Sequence, residues 1–470
     1  MRRTLTLQKT HHQQLLSLLM PDNGHEQIAY VLCGRCDVTQ DPWHGQPARR
    51  YLSRDVVPLD AELIVSSSTV HVNAKTEVFV RLLRRCRDEN LTLAVVHSHP
   101  AGQTKFSAVD DAEEPALVQL AQNRNGKAVE VLSVVYERAG RRFGRVWIDE
   151  QSHESLSAIN VVGERFLIDF PGRGEGKSSE TLARQALAFG DTLNSDLEHL
   201  RIGIIGCGAT GSATAMLLAR LGVKHFFVID PDIVEKTNLN RLHGPTMQDV
   251  KDRTPKVDVL RRELERLGLD IQVATSRQWV GDAETRDALK SCDVIFGCTD
   301  DADGRLLLNR FAYFYLVLVI DMGFQIDVDD TVPPRILEAA GRVTVLAPGR
   351  KCLLCREIVD VHDAYADQLR RLDPDEYARR RKEGEQYVRG GGSPDPSVVV
   401  FTTDVACMAI DELLHQLTGY RLASPSHRVR KYALCEDKQP GASPNGGCPI
   451  CGGEDYWGRG DYGLFLDRTG

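Results

Sequence analysis

The sequence has no long hydrophobic run. No apolar stretch approaches the ~18–20 residues that a membrane-crossing helix needs, so no segment reads as one and no membrane partner is expected. It also lacks a basic excess: 58 Lys and Arg face 66 Asp and Glu, for a net charge of −8, which argues against a dedicated nucleic-acid binder. Residues 1–10 carry basic side chains but no hydrophobic signal core, and no internal repeat is visible. What is present is an ordinary globular composition, 42% hydrophobic, in a 470-residue chain whose length alone suggests about three domains. Twelve cysteines include spaced C-x-x-C pairs. Without an export signal, such pairs suggest metal or thiol chemistry rather than disulfides, with a cytoplasmic location as the default.

The chain is organised around residues 200–232. Ile202, Ile204 and Ile205 are β-branched and apolar, as in a buried parallel strand. Gly206, Gly208 and Gly211 follow in G-x-G-x-x-G spacing, residues 212–221 have helical periodicity, and Gly222 stops that helix. Residues 225–230 read as a second strand ending in Asp230. Strand, glycine turn, helix, strand and acid in that order predict a nucleotide site: backbone amides and a helix N-terminus meet phosphate, and the acid reaches ribose hydroxyls. The motif alone suits NAD or FAD. Asp230, Asp232, Asn238, Arg241 and Lys256 suit a triphosphate better, since cations offset its charge and an acid holds Mg²⁺. Further strands at 271–276, 293–300 and 316–321, alternating with helices, predict a Rossmann-like, doubly wound, mainly parallel sheet, with Asp300 at a strand's C-terminal end, where such sheets bind ligands.

Here the chain resembles the ThiF/MoeB family, whose ATP-binding fold is shared by ubiquitin-activating enzymes. The likeness rests on Gly206 to Gly211, Asp230, Asp232, Asn238, Arg241, Lys256 and residues 297–300, and continues through 320–323 and 341–345 to Cys352 and Cys355. It implies attack of a carboxylate on the α-phosphate of ATP, loss of pyrophosphate, and an acyl-adenylate product. Arg241, Lys256 and Arg184 would offset phosphate charge, Asp300 would help hold Mg²⁺, and Asp230 would hold the ribose. Arg184 is assigned by this resemblance alone, often acting across a homodimer. Asp301 replaces the asparagine common in the family. Cys352, Cys355, Cys448 and Cys451 form two close pairs, the arrangement of a structural Cys₄ zinc site. A redox pair is the lesser reading. Thioester-forming relatives carry a catalytic cysteine in the region corresponding to 356–396, which here has none, and Cys407 beyond it reads as a core residue, as do Cys33, Cys36, Cys207 and Cys298.

The first 150 residues read as a separate α/β domain. A strand at 91–97 delivers His97 and His99, which alternate along extended backbone and so point to one face, and Asp110 can return as a third ligand. Three protein ligands leave zinc an open fourth position for water. Zinc lowers the pKa of that water, and a nearby carboxylate can take its proton. Glu26 is the candidate base, with Glu62 as competitor, and Ser107 could stabilise an oxyanion. His-Ser-His-Pro at 97–100, a six-residue spacer, Ser107 and Asp110 resemble the JAMM (MPN+) metallopeptidase motif. That resemblance implies cleavage of peptide or isopeptide bonds after ubiquitin-like C-termini.

The expected organisation is a JAMM-type domain at 1–150, a flexible linker at 151–180 that lets the two units move, and a ThiF-like domain at 181–470. The expected function is a bifunctional enzyme of a prokaryotic ubiquitin-like pathway using ATP, Mg²⁺ and two zinc ions, one catalytic and one structural. Its partner would be a β-grasp protein ending in glycine, with a conjugating enzyme or sulfur donor downstream. The alternatives are sulfur-carrier activation for cofactor synthesis, an NAD-dependent oxidoreductase, and a non-catalytic scaffold.

Overall fold

The computed structural model describes residues 1–470 except 23, 60, 69–71, 139, 174–178, 383–395, 442, 464 and 466–470. Among the described residues two large sheets carry the fold. The first contains, in chain order, β1 (Arg2–Gln8), β2 (Ile28–Val38) and β3 (Ala48–Val57). A separate hairpin of β4 (Ile64–Ser67) and β5 (Val72–Ala74) follows. The sheet then continues with β6 (Thr92–His99), β7 (Val131–Glu137), β8 (Arg142–Asp149), β9 (Ser152–Ser155), β10 (Ala158–Val162) and β11 (Leu167–Asp169). Their spatial order is β11-β10-β1-β3-β2-β6-β7-β8-β9. Helices α1 (Lys9–Leu19), α2 (Thr76–Asp88) and α3 (Ala108–Asn125) complete this half. Strand β6 is buried through Leu93, Ala94, Val95 and Val96, and that apolar anchoring brings His97 and His99 to its C-terminal end.

Three features of this half differ from the sequence-based expectation. Residues 2–8, which show no element signal in the sequence, form a central strand parallel to β3 and β10. Among its buried polar side chains, Arg3 meets Tyr51, Glu130 and Glu154, and the Gln8 amide nitrogen meets Ser53 O, while Thr4 Oγ1 has no hydrogen-bond partner among the described residues. The apolar run at 27–33, which the sequence reads as a strand ending at Gly34, continues as β2 to Val38. A Cβ on Gly34 would lie 2.6 Å from the carbonyl oxygen of Gly458, so only glycine lets the distant C-terminal segment pass here. Finally, the first part of the expected linker carries sheet: β9, β10 and β11 lie within residues 152–169, with β10 paired to β1.

The second sheet contains β12 (Arg201–Ile205), β13 (His225–Ile229), β14 (Gln272–Ser276), β15 (Val294–Gly297), β16 (Leu318–Val328), β17 (Ile336–Leu346), β18 (His427–Lys431) and β19 (Glu436–Lys438). Its order is β14-β13-β12-β15-β16-β17-β18-β19. The pairs from β14 to β16 are parallel and those beyond are antiparallel, which is the expected mainly parallel, doubly wound sheet with an antiparallel extension. Around it lie α4 (Ala183–His199), α5 (Ala209–Arg220), α6 (Met247–Asp252), α7 (Lys256–Glu265), α8 (Ala283–Leu289), α9 (Ala302–Phe314), α10 (Val361–Leu372), α11 (Pro374–Lys382) and α12 (Val399–Thr418). The chain leaves β12 toward β13 on one side and β15 on the other, so a topological switch point opens at their C-terminal ends. Among the described residues no helix is long and apolar enough to cross a membrane.

The two halves are not hinged. Ala158, Val162, Phe166 and Phe170 share one buried cluster with Leu193, Leu197 and Val294, and Cys36 and Leu52 share another with Phe311, Leu316 and Trp457. Ion pairs cross the seam: buried Arg201 pairs with Asp41, and half-buried Arg2 with Asp293 at 3.3 Å. The expected relative motion of two units is therefore replaced by a continuous core, because apolar faces on both sides of the seam cover each other. Arg50, 3% exposed, reaches from β3 to the carbonyls of Lys290 at 2.9 Å, Cys292 at 3.4 Å and Leu316 at 3.3 Å. It thus satisfies acceptors just past the ends of α8 and α9. Replacing Arg50 with Ala should cost on the order of 3–5 kcal/mol, since buried acceptors lose their donor and a cavity opens. Denaturant unfolding should show one midpoint lowered for the whole chain; a separate shift of the first half alone would contradict a shared core.

Candidate active sites

The first site sits where β6 ends and α3 begins. The Nε2 atoms of His97 and His99 are 3.2 Å apart. Asp110 presents Oδ1 at 3.3 Å from His97 Nε2 and Oδ2 at 3.6 Å from His99 Nε2. One ligand atom from each residue lies within 4.8 Å of the others, so the set could hold a metal ion. His99 Nδ1 lies 3.2 Å from the carbonyl oxygen of Gln103. A proton on Nδ1 would be donated there, leaving the Nε2 lone pair toward the site. Burial alone would raise the Asp110 carboxyl, but hydrogen bonds from His97 and His99 hold it well below the usual carboxylate range. Burial would lower His99, yet Asp110, the Gln103 carbonyl and Glu26 together raise it.

Glu26 precedes β2, whose Ile28 pairs with His97, and it is 3% exposed. The serine between the two histidines secures it. Ser98 Oγ accepts from the Gln27 amide at 2.9 Å, and the Ser98 amide donates to Gln27 O at 3.0 Å. The small hairpin adds a bond from Glu26 N to Ser68 O at 2.7 Å. Glu62 lies exposed on the 3-10 turn Ala61–Leu63. Ser107 is the N-cap of α3. Its Oγ accepts from Asp110 N at 3.2 Å while its own amide donates to Asp110 Oδ2 at 2.6 Å. The cap fixes Asp110 and leaves the Ser107 O–H free to donate.

The second site lies at the switch point. Gly206 has φ +92°, and a Cβ on Gly211 would lie 1.8 Å from Gly206 O, so the turn and the start of α5 are pressed together. At Gly208, the N-cap of α5, a Cβ would meet nothing within 4 Å, so the approach to the helix N-terminus is open. Asp230, 6% exposed, accepts from Cys207 N at 2.6 Å and Asp232 N at 2.8 Å. Burial pushes its carboxyl up, against the pull of Lys256 and these amides. Lys256 starts α7 and donates from Nζ to Asp232 Oδ2 at 2.7 Å. Burial would lower Lys256, but Asp230, Asp232 and Asp300 raise it. These four residues are thus brought together.

Asn238 is buried and closes a reciprocal cap with Glu235, which holds the turn leading to Arg241. Arg241 donates to Thr237 O at 2.5 Å and faces no carboxylate among the described residues. Arg184 is exposed on the first turn of α4, and among the described residues it has no partner and no contact that joins it to Lys256. Asp301 acts as the N-cap of α9, accepting from Asp303 N and Gly304 N, and takes the Trp279 indole N–H at 2.7 Å.

The third cluster is sulfur. Cys352 and Cys448 Sγ lie 3.9 Å apart, Cys355 and Cys451 3.8 Å apart, and all four within 4.8 Å. Tetrahedral zinc with Zn–S of about 2.3 Å requires S···S of about 3.8 Å, so the Cys352–Cys448 and Cys355–Cys451 spacings suit that ion. Cys33, Cys36 and Cys207 are core residues as expected, and Cys298 is half-buried. Cys407 is not: it is exposed, because it falls on the outward stripe of α12 while Ala406 and Met408 beside it pack inward. The crossover holds α10 and α11, and Asp367 of α10 accepts from Ala302 N at 2.7 Å; its glycine-rich stretch at 390–393 lies outside the described residues.

Some site-forming residues carry no role in the sequence reading. Asp321, fully buried at the end of the parallel part of β16, pairs with Arg342 and lies 3.6 Å from Arg305 Nε. His243 Nε2 meets Thr403 Oγ1 at 3.1 Å and its amide meets Ser212 Oγ at 3.1 Å, which ties the Arg241 loop to α5 and α12. Asp321 stands in a recognised motif; His243 gives no signal.

Together the fold and sites define an α/β half with a nucleotide-type glycine turn at its switch point, joined to a half in which His97, His99 and Asp110 could hold a metal ion. Residues 182–449 match the ThiF family, and the chain belongs to it. Residues 8–146 match prokaryotic homologs of the JAB domain. The sulfur carrier protein ThiS adenylyltransferase of Escherichia coli (strain K12) is 27% identical over 257 residues, 54% of this chain and 86% of that protein. That of Bacillus subtilis (strain 168) is 32% identical over 124 residues, 26% of this chain but only 37% of that protein. The SAMP-activating enzyme E1 of Haloferax volcanii is 26% identical over 155 residues, 33% of this chain and 52% of that protein.

Proposed function

We propose that this chain adenylates the C-terminal glycine of a ubiquitin-like or sulfur-carrier protein, and that its first half hydrolyses peptide or isopeptide bonds after such a C-terminus. The observation that carries the first activity is Lys256 held among Asp230, Asp232 and Asp300 beside an open glycine turn. The E. coli relative, named for adenylating a sulfur carrier, supports it. In this reading the glycine carboxylate attacks the α-phosphate of ATP, the α–β phosphoanhydride bond breaks, and pyrophosphate leaves. Lys256 and Arg241 offset charge on the leaving phosphates. Asp230 orients the ribose, and Asn238 holds the Arg241 turn. Asp300 and Asp232 would hold Mg²⁺, which supplies further charge neutralisation. Arg184, exposed and without a partner among the described residues, would reach phosphate in a homodimer partner's site.

In the first half His97, His99 and Asp110 would hold zinc, which when bound acidifies a water. Glu26 accepts the proton and returns it to the departing amine, and the Ser107 hydroxyl donates to the developing oxyanion. The four-thiolate cluster would hold a structural zinc, and a reducing cytoplasm suits it. The missing crossover cysteine favours direct transfer of the adenylate to a sulfur donor or a conjugating enzyme's thiol over a thioester on this chain.

The test is ATP–pyrophosphate exchange with ubiquitin-like proteins encoded beside the gene, each supplied full-length and trimmed to its glycine. Trimmed protein should support exchange directly. Full-length protein should do so with wild-type chain and not with His97→Ala. Exchange that ignores His97→Ala would point to deconjugation instead of maturation, and no exchange with any partner would remove the adenylation reading.

A further inference from the structure

One buried arginine outside the ligand set grips the turn that carries Asp110. Arg145 lies on β8 and is 3% exposed. Its Nε donates to Glu114 Oε2 at 2.8 Å and its Nη1 to Asp111 Oδ1 at 2.5 Å. Its guanidinium stands 3.8 Å from the centre of the Phe106 ring. Phe106 comes just before Ser107, and Asp111 and Glu114 come just after Asp110, one helical turn apart. Arg145 therefore holds both flanks of the capping box made by Ser107 and Asp110. Glu114 is fixed in turn by Ser133 Oγ from β7 at 2.5 Å and by Trp147 Nε1 from β8 at 2.5 Å. Phe106 also packs toward the ligands. Its ring centre lies 6.4 Å from that of His97 and 5.2 Å from that of Phe143, which lies 6.1 Å from that of His99.

Packing alone does not call for this residue. Burying a guanidinium is costly, Nη2 has no hydrogen-bond partner among the described residues, and aliphatic side chains replacing Arg145 and Glu114 together would fill the space at no greater cost. What arginine adds is a rigid planar fork that meets two carboxylates and a ring face at fixed angles. We propose that Arg145 is a positioning residue for the metal cluster: through Phe106, Asp111 and Glu114 it sets how closely Asp110 approaches His97 and His99. The inference rests on reading those three as metal ligands.

Cobalt(II) titration of the metal-free full chain tests it. Cobalt on the four thiolates gives strong charge-transfer bands, whereas cobalt on His97, His99 and Asp110 gives only weak visible bands, so the two sites are read separately. Arg145→Lys should weaken cobalt binding at the histidine site about 10- to 100-fold and shift its visible bands, with the thiolate bands unchanged. Phe106→Leu removes one flank while leaving the buried charges paired, and should weaken binding in the same direction; it decides the matter if Arg145→Lys fails to fold. Wild-type affinity and spectrum in both variants, with Asp110→Asn losing cobalt, would overturn the positioning role while leaving the ligand reading intact. Uptake by wild-type chain at the thiolates alone would overturn the ligand reading and the inference with it.

Discussion

Changing Lys256 to Met should lower ATP–pyrophosphate exchange by about 10²- to 10³-fold, the usual loss when one charged donor to a reacting phosphate is removed. The argument is local. Lys256 is the cation that three acids converge on, Asp230 and Asp232 beyond β13 and Asp300 beyond β15. Those acids raise its pKa despite burial, so the ammonium stays charged through neutral pH and is lost only under alkaline conditions. ATP brings phosphate charge into the same space, and without this ammonium the acids would repel it. Some stability should be lost too, because the substitution leaves the buried Asp230 without its nearby cation, whereas the exposed partner Asp232 contributes only about 0–1 kcal/mol. Zinc content and any peptide cleavage should be as in wild type. Exchange kept within a few-fold of wild type would mean that Lys256 serves the fold rather than the phosphates.

Glu26→Gln should reduce peptide or isopeptide cleavage by about 10²- to 10⁴-fold, the contribution expected of a general base. The substitution keeps the size of a buried side chain whose backbone is pinned by Ser67, Ser68 and the neighbouring Ser98 contacts. It removes the carboxylate that acts on His99, but no metal ligand. Zinc content should therefore persist, and ATP–pyrophosphate exchange with trimmed partner should be unaffected. If Glu62→Gln produces the loss instead, the exposed competitor on the 3-10 turn is the base and the role given to Glu26 is wrong.

The parts that can be read from sequence are those where chemistry demands a residue type at a fixed spacing. The glycine turn at Gly206, Gly208 and Gly211 is such a case, since Gly211 admits no Cβ. So are His97, His99 and Asp110, set by one strand and one helix cap, and the two C-x-x-C pairs, whose sulfurs meet at tetrahedral spacing. What is not legible depends on neighbours far along the chain. Strand β1 hides because its buried Arg3 finds its partners on β3 and at Glu130 and Glu154. Glycine and charge after residue 170 suggest a flexible linker, whereas the strands before it and the seam they make are set by apolar faces that only the tertiary structure brings together. Cys407 reads as core because α12 is apolar on average; a single outward stripe decides otherwise. Arg145 reads as one charge on a strand, and its place between Phe106 and Glu114 needs three elements at once.

The C-terminal segment that crosses Gly34 also orders the birth of the protein. Trp457, Gly458 and Asp461 close over β2 and β3: Arg54 donates to Trp457 O at 2.6 Å, and the Asp37 amide donates to Asp461 Oδ2 at 2.5 Å. A ribosome makes β2 early, and Asp461 follows Asp37 by 424 residues. At about 5–20 residues per second, the flank of the metal-cluster half waits tens of seconds for its final contact. A nascent or truncated chain would thus carry His97, His99 and Asp110 on a scaffold that still lacks its last contacts, and any activity proposed for the first half would depend on a segment made last.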